Sequence, residues 1–371
     1  MNRDEHVKVC WVGGIPAHYT RAMHVRLDEI FPKNIKFLYL KKQNETVNRD
    51  YQCGKFPELF FNINSHDWVG IWRYLEKSSP QIVILAGFYH RFILIALFWA
   101  VLRKRHIAYW GDTNIQDFYK KGIMGRLFEI IRKRLVYKYI DTYFYIGSRN
   151  RDFYQCILGE KCLDKIFVKV PYPALINTAS KTSIKDNKVR LLYIGRLIPI
   201  KGVDNLIKAL SILPSNVRDR MLLTIIGDGS EYDRLLVLTK KLGLTNQIKF
   251  HGSIPSNKTA VEYAKNDFFV LPSYSEPWGL VVNEALSAGL PVIAPYWVGA
   301  VADLVIDGFT GVVMNDNKPE TIMQAIIKTI NLSKQELKNM GEQGHQLVKY
   351  GGFTLDGATK NIVNYIQQTI I

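Results

Sequence analysis

Asp267-Phe268-Phe269-Val270-Leu271-Pro272-Ser273-Tyr274-Ser275-Glu276-Pro277-Trp278-Gly279-Leu280-Val281-Val282-Asn283-Glu284-Ala285-Leu286-Ser287-Ala288-Gly289-Leu290-Pro291-Val292-Ile293-Ala294 reads as strand, loop, helix and strand again. Asp267 to Leu271 is a β-branched and aromatic run closed by Pro272, and the residues after Gly279 change to helical periodicity. A strand that feeds a helix through a loop bearing Pro and Gly leaves the first amides of that helix unpaired, which is a place to hold a phosphate. Two carboxylates, Glu276 and Glu284, stand on either side of that junction.

The same grammar extends in both directions. Upstream lie Arg190 to Gly195, Met221 to Ile226 and Ile248 to His251; downstream lie Pro291 to Ala294 and Gly311 to Met314. An earlier series runs through Val7 to Val12, Ile35 to Leu40, Gln81 to Ala86, Ile107 to Trp110 and Thr142 to Ile146, again with helical stretches between. Short apolar strands alternating with helices predict parallel sheets covered on both faces. Pro171-Tyr172-Pro173 and the polar, strand-poor stretch to Lys188 separate the two series. The expected architecture is α/β: two Rossmann-like, doubly wound domains facing across a cleft, spanning 1–180 and 188–350, with a helix over 351–371 after the break at Tyr350-Gly351-Gly352. A chain of 371 residues suits two domains, since single cores stop growing at about 250–300 residues.

The longest apolar run, Phe92 to Leu102, falls well short of the roughly 20 residues that span a bilayer. The start, MNRDEHVKVCWVGG, has acids and no long apolar segment, so a cytoplasmic protein is expected. Cys10, Cys53, Cys156 and Cys162 form no CxxC pair and have no His spacing that would suggest zinc, so reduced structural thiols and no metal are expected.

The formal net charge is +16, and it is uneven: residues 1–180 hold 28 Lys/Arg against 16 Asp/Glu, or +12, and the remainder 21 against 17, or +4. Part of the excess sits on GRLFEIIRKRLVYKYI, where Leu127, Ile130, Ile131 and Leu135 recur at helical spacing with bases between them. An ordinary solvated surface helix would read this way. So would a helix on an anionic membrane surface, on the inner face of the membrane, which fits a lipid-borne acceptor. No nucleic-acid motif accompanies the charge, and no nucleic acid is expected as partner.

The unusual residues follow the strands. Gly13-Gly14 allows close approach of backbone to a ligand, or a simple tight turn. Gly195-Arg196 and Lys201-Gly202 place two cations just after a strand, as a diphosphate requires; Arg gives forked contacts and Lys a point charge. Gly227-Asp228-Gly229 lacks the third glycine of a dinucleotide fingerprint and reads as a tight turn bordering a nucleotide pocket.

GRLIPIKGVDNLIKAL, IIGDGSEYDRL, KFHGSIP and VLPSYSEPWGLVVNEALSAGLPVIA, in this order, resemble the C-terminal half of the retaining nucleotide-sugar glycosyltransferases of family 4, the group 1 transferases of GT-B fold. The likeness covers most of residues 188–350; over the first half it rests on Gly13-Gly14 and strand order. It implies that Arg196 and Lys201 neutralise the donor diphosphate and that Glu284 binds ribose hydroxyls. By the same likeness Glu276 contacts the donor sugar near its developing oxocarbenium charge, and the Trp278-Gly279-Leu280 amides meet phosphate and sugar. Transfer in this family is a front-face substitution in which the leaving phosphate helps deprotonate the acceptor. The implied donor is a nucleotide-diphosphate sugar, a UDP-sugar ahead of a GDP-sugar, with no other cofactor and no metal. The acceptor expected is a glycan or a polyprenyl-linked oligosaccharide of the cell envelope.

Many members of the family carry a His where this chain has Trp110-Gly111-Asp112-Thr113, so Asp112 becomes the candidate acceptor-orienting group, with a helix cap as the alternative. His18 and His90 are other candidates there, and His251, beside Gly252, is a candidate at the base pocket. The competing readings are a nucleotide-sugar epimerase on the same fold and a non-enzymatic, basic nucleic-acid-binding protein.

Overall fold

A computed structural model describes residues 7–14, 16–41, 58–62, 68–87, 91–176 and 188–370; Cys53 and His90 lie outside them. The chain forms two compact units, Met1–Pro173 with Leu355–Ile371, and Ala174–Thr354. The break after Pro173 has a local cause: the Ala174 amide donates to Phe353 O at 2.9 Å and Ala174 pairs with Thr354.

Unit 1 holds a parallel sheet of β1 (Val9–Gly13), β2 (Ile35–Lys41), β3 (Glu58–Asn62), β4 (Ile82–Ala86), β5 (His106–Trp110), β6 (Thr142–Tyr145) and β7 (Ile166–Lys169), in the order β3-β2-β1-β4-β5-β6-β7. β1 and β4 are continuous apolar runs because helices cover both faces. β3 and β7 were not foreseen. Both are edge strands, and IFVK of β7 is half-exposed, ends on Lys169 and follows Lys165, so the two-faced apolar pattern is missing. The final helix, Leu355–Ile370, completes this unit: Tyr365 packs edge-on to Phe144 at 5.0 Å, and Asn361 Nδ2 donates to Lys169 O at 2.7 Å.

Unit 2 holds β8 (Val189–Ile194), β9 (Met221–Ile226), β10 (Ile248–Phe250), β11 (Phe268–Val270), β12 (Val292–Pro295) and β13 (Gly311–Met314), parallel, in the order β10-β9-β8-β11-β12-β13. Each sheet reverses its winding once, between β1 and β4 in unit 1 and between β8 and β11 in unit 2. At such a switch point the loops leaving adjacent strands turn apart and open a crevice at the strand C-termini, which is where ligands bind in this architecture.

The basic segment folds as a helix over Ile123–Leu135. Its apolar side chains face outward: Ile123 is 86% exposed, Met124 77%, Leu135 63% and Phe128 58%. Glu129, by contrast, is buried, held by Lys121 at 2.8 Å, Arg132 at 3.2 Å and the Tyr137 hydroxyl at 3.4 Å. An ordinary solvated surface helix has the opposite polarity.

Candidate active site

In unit 2, Arg196 and Lys201 lie in the loop after β8 and Glu276 in the loop after β11, so the switch point gathers what the sequence separates by about eighty residues. Backbone contacts stitch the two loops together. The Tyr274 amide donates to Ile200 O at 2.8 Å, and Asn205 Nδ2 reaches both Tyr274 Oη at 2.9 Å and Asn317 O at 2.8 Å. Gly202 adopts φ 65°, and a Cβ there would come within 2.3 Å of Pro272 O, so only glycine lets the loops approach this closely.

Lys201 Nζ is ion-paired with Glu276 Oε2, the two side chains being 13% and 15% exposed. At that depth the pair is partly desolvated and each charge fixes the other's position. Arg196 is exposed. The buried Tyr193 hydroxyl donates to Arg196 O at 3.0 Å; its ionisation is pushed up by burial, then by the Glu276 charge, and pulled back by Arg196, which sets both charges around one phenol.

Gly279 takes φ 94° and opens the helix Leu280–Ser287. A Cβ on it would touch Val298 Cγ1 at 3.0 Å and Glu276 Cγ at 3.1 Å. The amides of Gly299 and Ala300 clamp this loop from the other side, on Glu276 O at 3.1 Å and Trp278 O at 2.7 Å. The Trp278 indole is buried, donating to Asn283 Oδ1 at 3.1 Å and stacking on Phe353, so its side chain anchors the loop while the helix amides remain at the junction. Glu284 lies within the helix. Its Oε2 accepts from the Tyr263 hydroxyl at 3.0 Å, and burial raises its carboxyl to about 7.

Gly227 and Gly229 serve packing. Their φ values are 146° and 154°, and a Cβ on Gly227 would sit 1.8 Å from Gly195 O. The Leu197 amide donates to Asp228 O at 2.8 Å, so this turn supports the loop that carries Arg196. His251 is exposed at the end of β10, the edge strand, two strands from β8.

Unit 1 has its own cavity, of about 230 Å³, at the switch point. Gly13 and Gly14 at the end of β1, Ala86 and Gly87 at the end of β4, and Trp110, Gly111 and Asp112 at the end of β5 contribute to it. The Asp112 loop is tied down by Tyr154 Oη on Gly111 O at 3.0 Å and Asn150 Nδ2 on Thr113 O at 2.7 Å. Because the next helix starts at Ile115, with Phe118 N donating to Asn114 O, the cap position falls on Asn114 and not on Asp112. His18 starts a helix and is half-buried, its pKa lowered by burial. Sequence reading missed Tyr263, the partner of Glu284; a tyrosine inside a helix carries no local mark that separates core from site.

A sequence profile of the glycosyl transferases, group 1, matches residues 177–347. The matched segment, just under half of the chain, carries the sequence pattern of that family. An uncharacterised glycosyltransferase of Methanocaldococcus jannaschii is 29% identical over 306 residues, 80% of this chain and 74% of that one. A D-inositol 3-phosphate glycosyltransferase of Catenulispora acidiphila is 29% identical over 181 residues, covering 46% of this chain and 42% of its own length. The structure of Anabaena HepE in complex with UDP aligns over 97% of this glycosyltransferase and 100% of HepE, with TM-score 0.75 and 15% identity. The shared fold is GT-B, two Rossmann-like units in one chain. No described helix is long and apolar enough to cross a membrane.

Proposed function

We propose that this glycosyltransferase moves a sugar, with retention of anomeric configuration, from a nucleotide-diphosphate sugar, UDP-linked ahead of GDP-linked, to a glycan or polyprenyl-linked acceptor in cell-envelope synthesis. The observation that carries the reading is the Lys201–Glu276 pair at the switch point of unit 2, with Arg196 in the same loop as Lys201 and the helix that contains Glu284 starting at Gly279. Arg196, Lys201 and the helix amides oppose the charge that grows on a leaving diphosphate. Glu284 accepts from ribose hydroxyls, and Glu276, oriented by Lys201, stands where the sugar develops positive charge. Since Arg196 and Lys201 supply the positive charge, the mechanism assigns no metal ion and no organic cofactor. Relatives carry the donor class: HepE is described in complex with UDP.

Unit 1 is assigned the acceptor, with Asp112 orienting its hydroxyl. The outward apolar residues of Ile123–Leu135, with its bases, fit an anionic membrane surface holding a lipid-borne acceptor, on the cytoplasmic side. The test is turnover of purified chain with UDP- and GDP-sugars, the anomeric configuration of product read by NMR. Glu284→Ala and Arg196→Ala should each lower transfer by at least about a hundredfold with folding intact. Near-normal activity in both would sink the site. Sugar rearrangement without acceptor would favour an epimerase.

A further inference from the structure

Unit 2 carries an uncharged rim beside the Lys201–Glu276 pair. Ile200, next to Lys201, is 44% exposed; Tyr274, two residues before Glu276, and Tyr296, the first residue after β12, are each 45% exposed; Trp297 is half-buried. Single exposed apolar side chains are common on protein surfaces, but here they gather from three loops at the C-terminal ends of β8, β11 and β12, and such a cluster marks a contact surface. The loops are fastened to one another. The Tyr274 amide donates to Ile200 O at 2.8 Å, and the Trp297 Nε1 donates to Ser273 O at 2.9 Å. None of these side chains has a part in the diphosphate or ribose contacts assigned above.

The rings are held in place by the protein itself. Tyr274 Oη accepts from Asn205 Nδ2 at 2.9 Å, and Tyr296 stands 5.2 Å from Trp297 between ring centres, at 75°, with its amide on Met314 O at 2.9 Å. A tyrosine fixed in this way offers a flat amphipathic surface at little further cost in side-chain freedom. Ile200, Tyr274, Tyr296 and Trp297 carry no charge, so they add no attraction for a phosphate or a carboxylate. Sheet order places β12 on the far side of β11 from β8, β9 and β10, hence away from the strand ends that hold Arg196, the Gly227 turn and His251. Two strand spacings, about 10 Å, separate β8 from β12, which leaves room for a sugar ring beyond the cations that face the diphosphate.

We propose that Tyr274 and Tyr296, backed by Ile200 and Trp297, form a stacking platform for the apolar face of one neutral pyranose ring, and that this platform helps set which sugars are used. The C–H groups on one face of a pyranose are slightly positive and meet the negative face of an aromatic ring, while its hydroxyls point sideways to water and polar groups. The assignment rests on the reading of unit 2 as the nucleotide-sugar unit. Donor sugar and acceptor sugar present the same C–H face, and the experiment separates them.

The test is saturation-transfer NMR and titration on the full chain with methyl β-glucoside, methyl β-galactoside, methyl β-glucuronide and uridine. A neutral glycoside should receive saturation chiefly at the axial ring protons of one face. Tyr296→Ala and Tyr274→Ala, each with a native melting curve, should weaken its binding by about two- to tenfold, and Tyr296→Phe, which keeps the ring, should not. Absence of binding by both neutral glycosides, binding that neither alanine variant changes, or an equal loss in Tyr296→Phe overturns the proposal. So does tighter binding of the glucuronide, or uridine binding that Tyr296→Ala weakens as much, which would assign the rim to a nucleobase. UDP-glucose and UDP-galactose separate the two sources. With the donor's ring on the platform, a UDP-sugar displaces the glycoside, and Tyr296→Ala raises the UDP-sugar KM but not the Kd of UDP. With an acceptor's ring there, the glycoside stays bound and the UDP-sugar KM is unchanged. Donor hydrolysis measured in parallel keeps the readings apart: hydrolysis without glycoside binding sinks this proposal alone, and Tyr296-dependent glycoside binding without turnover of any nucleotide sugar sinks the transferase mechanism alone.

Discussion

The Tyr263 hydroxyl donates to Glu284 Oε2 across 3.0 Å, at a site where burial lifts the carboxyl to about 7 and the tyrosine hydrogen bond pulls it back down. If Glu284 accepts from ribose as proposed, protonation as pH falls through about 7 would take acceptor capacity away from it. The donor KM is therefore expected to rise as pH falls through 7. Tyr263→Phe removes the opposing contribution, so the inflection should move to higher pH. A KM profile that keeps its wild-type midpoint in Tyr263→Phe would remove Tyr263 from this role.

The same carboxyl sets a stability trend of defined sign. Its folded pKa of about 7 exceeds its ordinary value of 4.5, so the folded state holds the proton more tightly. Stability is then lost as pH rises between those two values. Glu284→Gln, a mimic of the protonated acid, should gain about 1–3 kcal/mol at pH 8 and nothing at pH 4, measured by urea unfolding. A gain equal at both pH values would contradict the burial argument.

Arg196 is exposed and Lys201 is engaged with Glu276, which separates their variants. Arg196→Ala should lower kcat/KM by about 10²–10³ while unfolding stays within about 0.5 kcal/mol of wild type. Lys201→Ala should lose activity to a similar degree and also stability, because Glu276 is left half-buried without its partner. If circular-dichroism melts show the two variants equally stable, the ion pair contributes nothing to the fold.

Gly227 and Gly252 both have positive φ but different surroundings. Alanine at Gly227 would place a Cβ 1.8 Å from Gly195 O, whereas nothing lies within 4 Å of the Gly252 position. Gly252→Ala should cost about 1 kcal/mol for its backbone conformation. Gly227→Ala should cost several times more, or yield no folded protein. Comparable urea midpoints would show that the two turns relax freely.

For the outward-facing helix, vesicle flotation gives the readout. Replacing Phe128, Ile131 and Leu135 together by Asp should reduce binding to phosphatidylglycerol vesicles at least about tenfold, since each apolar side chain buried in lipid contributes about 1.5–3 kcal/mol. Undiminished binding by that variant would assign the face to something other than lipid.

Much of the fold could be read from the chain, because parallel strands covered on both faces leave unbroken apolar runs such as Met221–Ile226 and Gly311–Met314, which are strands over those same residues. Edge strands β3 and β7 escape that logic: each pairs on one side only, and β7 is at most partly buried. In the site, charged residues at strand ends advertise themselves, as Lys201 and Glu276 do. Tyr263 does not: a tyrosine inside Ser256–Ala264 could equally be core, and only the approach of the helix Leu280–Ser287 gives its hydroxyl a partner. The polarity of Ile123–Leu135 was hidden for a related reason. Periodicity shows that a helix has two faces, but the side turned inward was decided by the Lys121, Arg132 and Tyr137 contacts around Glu129.

The chain leaves unit 1 after Pro173 and re-enters it at Leu355, with Ala174 and Thr354 paired at the seam. In gene order unit 2 is therefore an insert nested inside unit 1. On the ribosome, unit 2 has its whole sequence available before unit 1 receives the helix that covers Phe144, which inverts the usual order of completion for two-domain chains. Grafting unit 2 from a relative correspondingly requires two splice points, and a truncation after Pro173 would strip unit 1 of part of its own core.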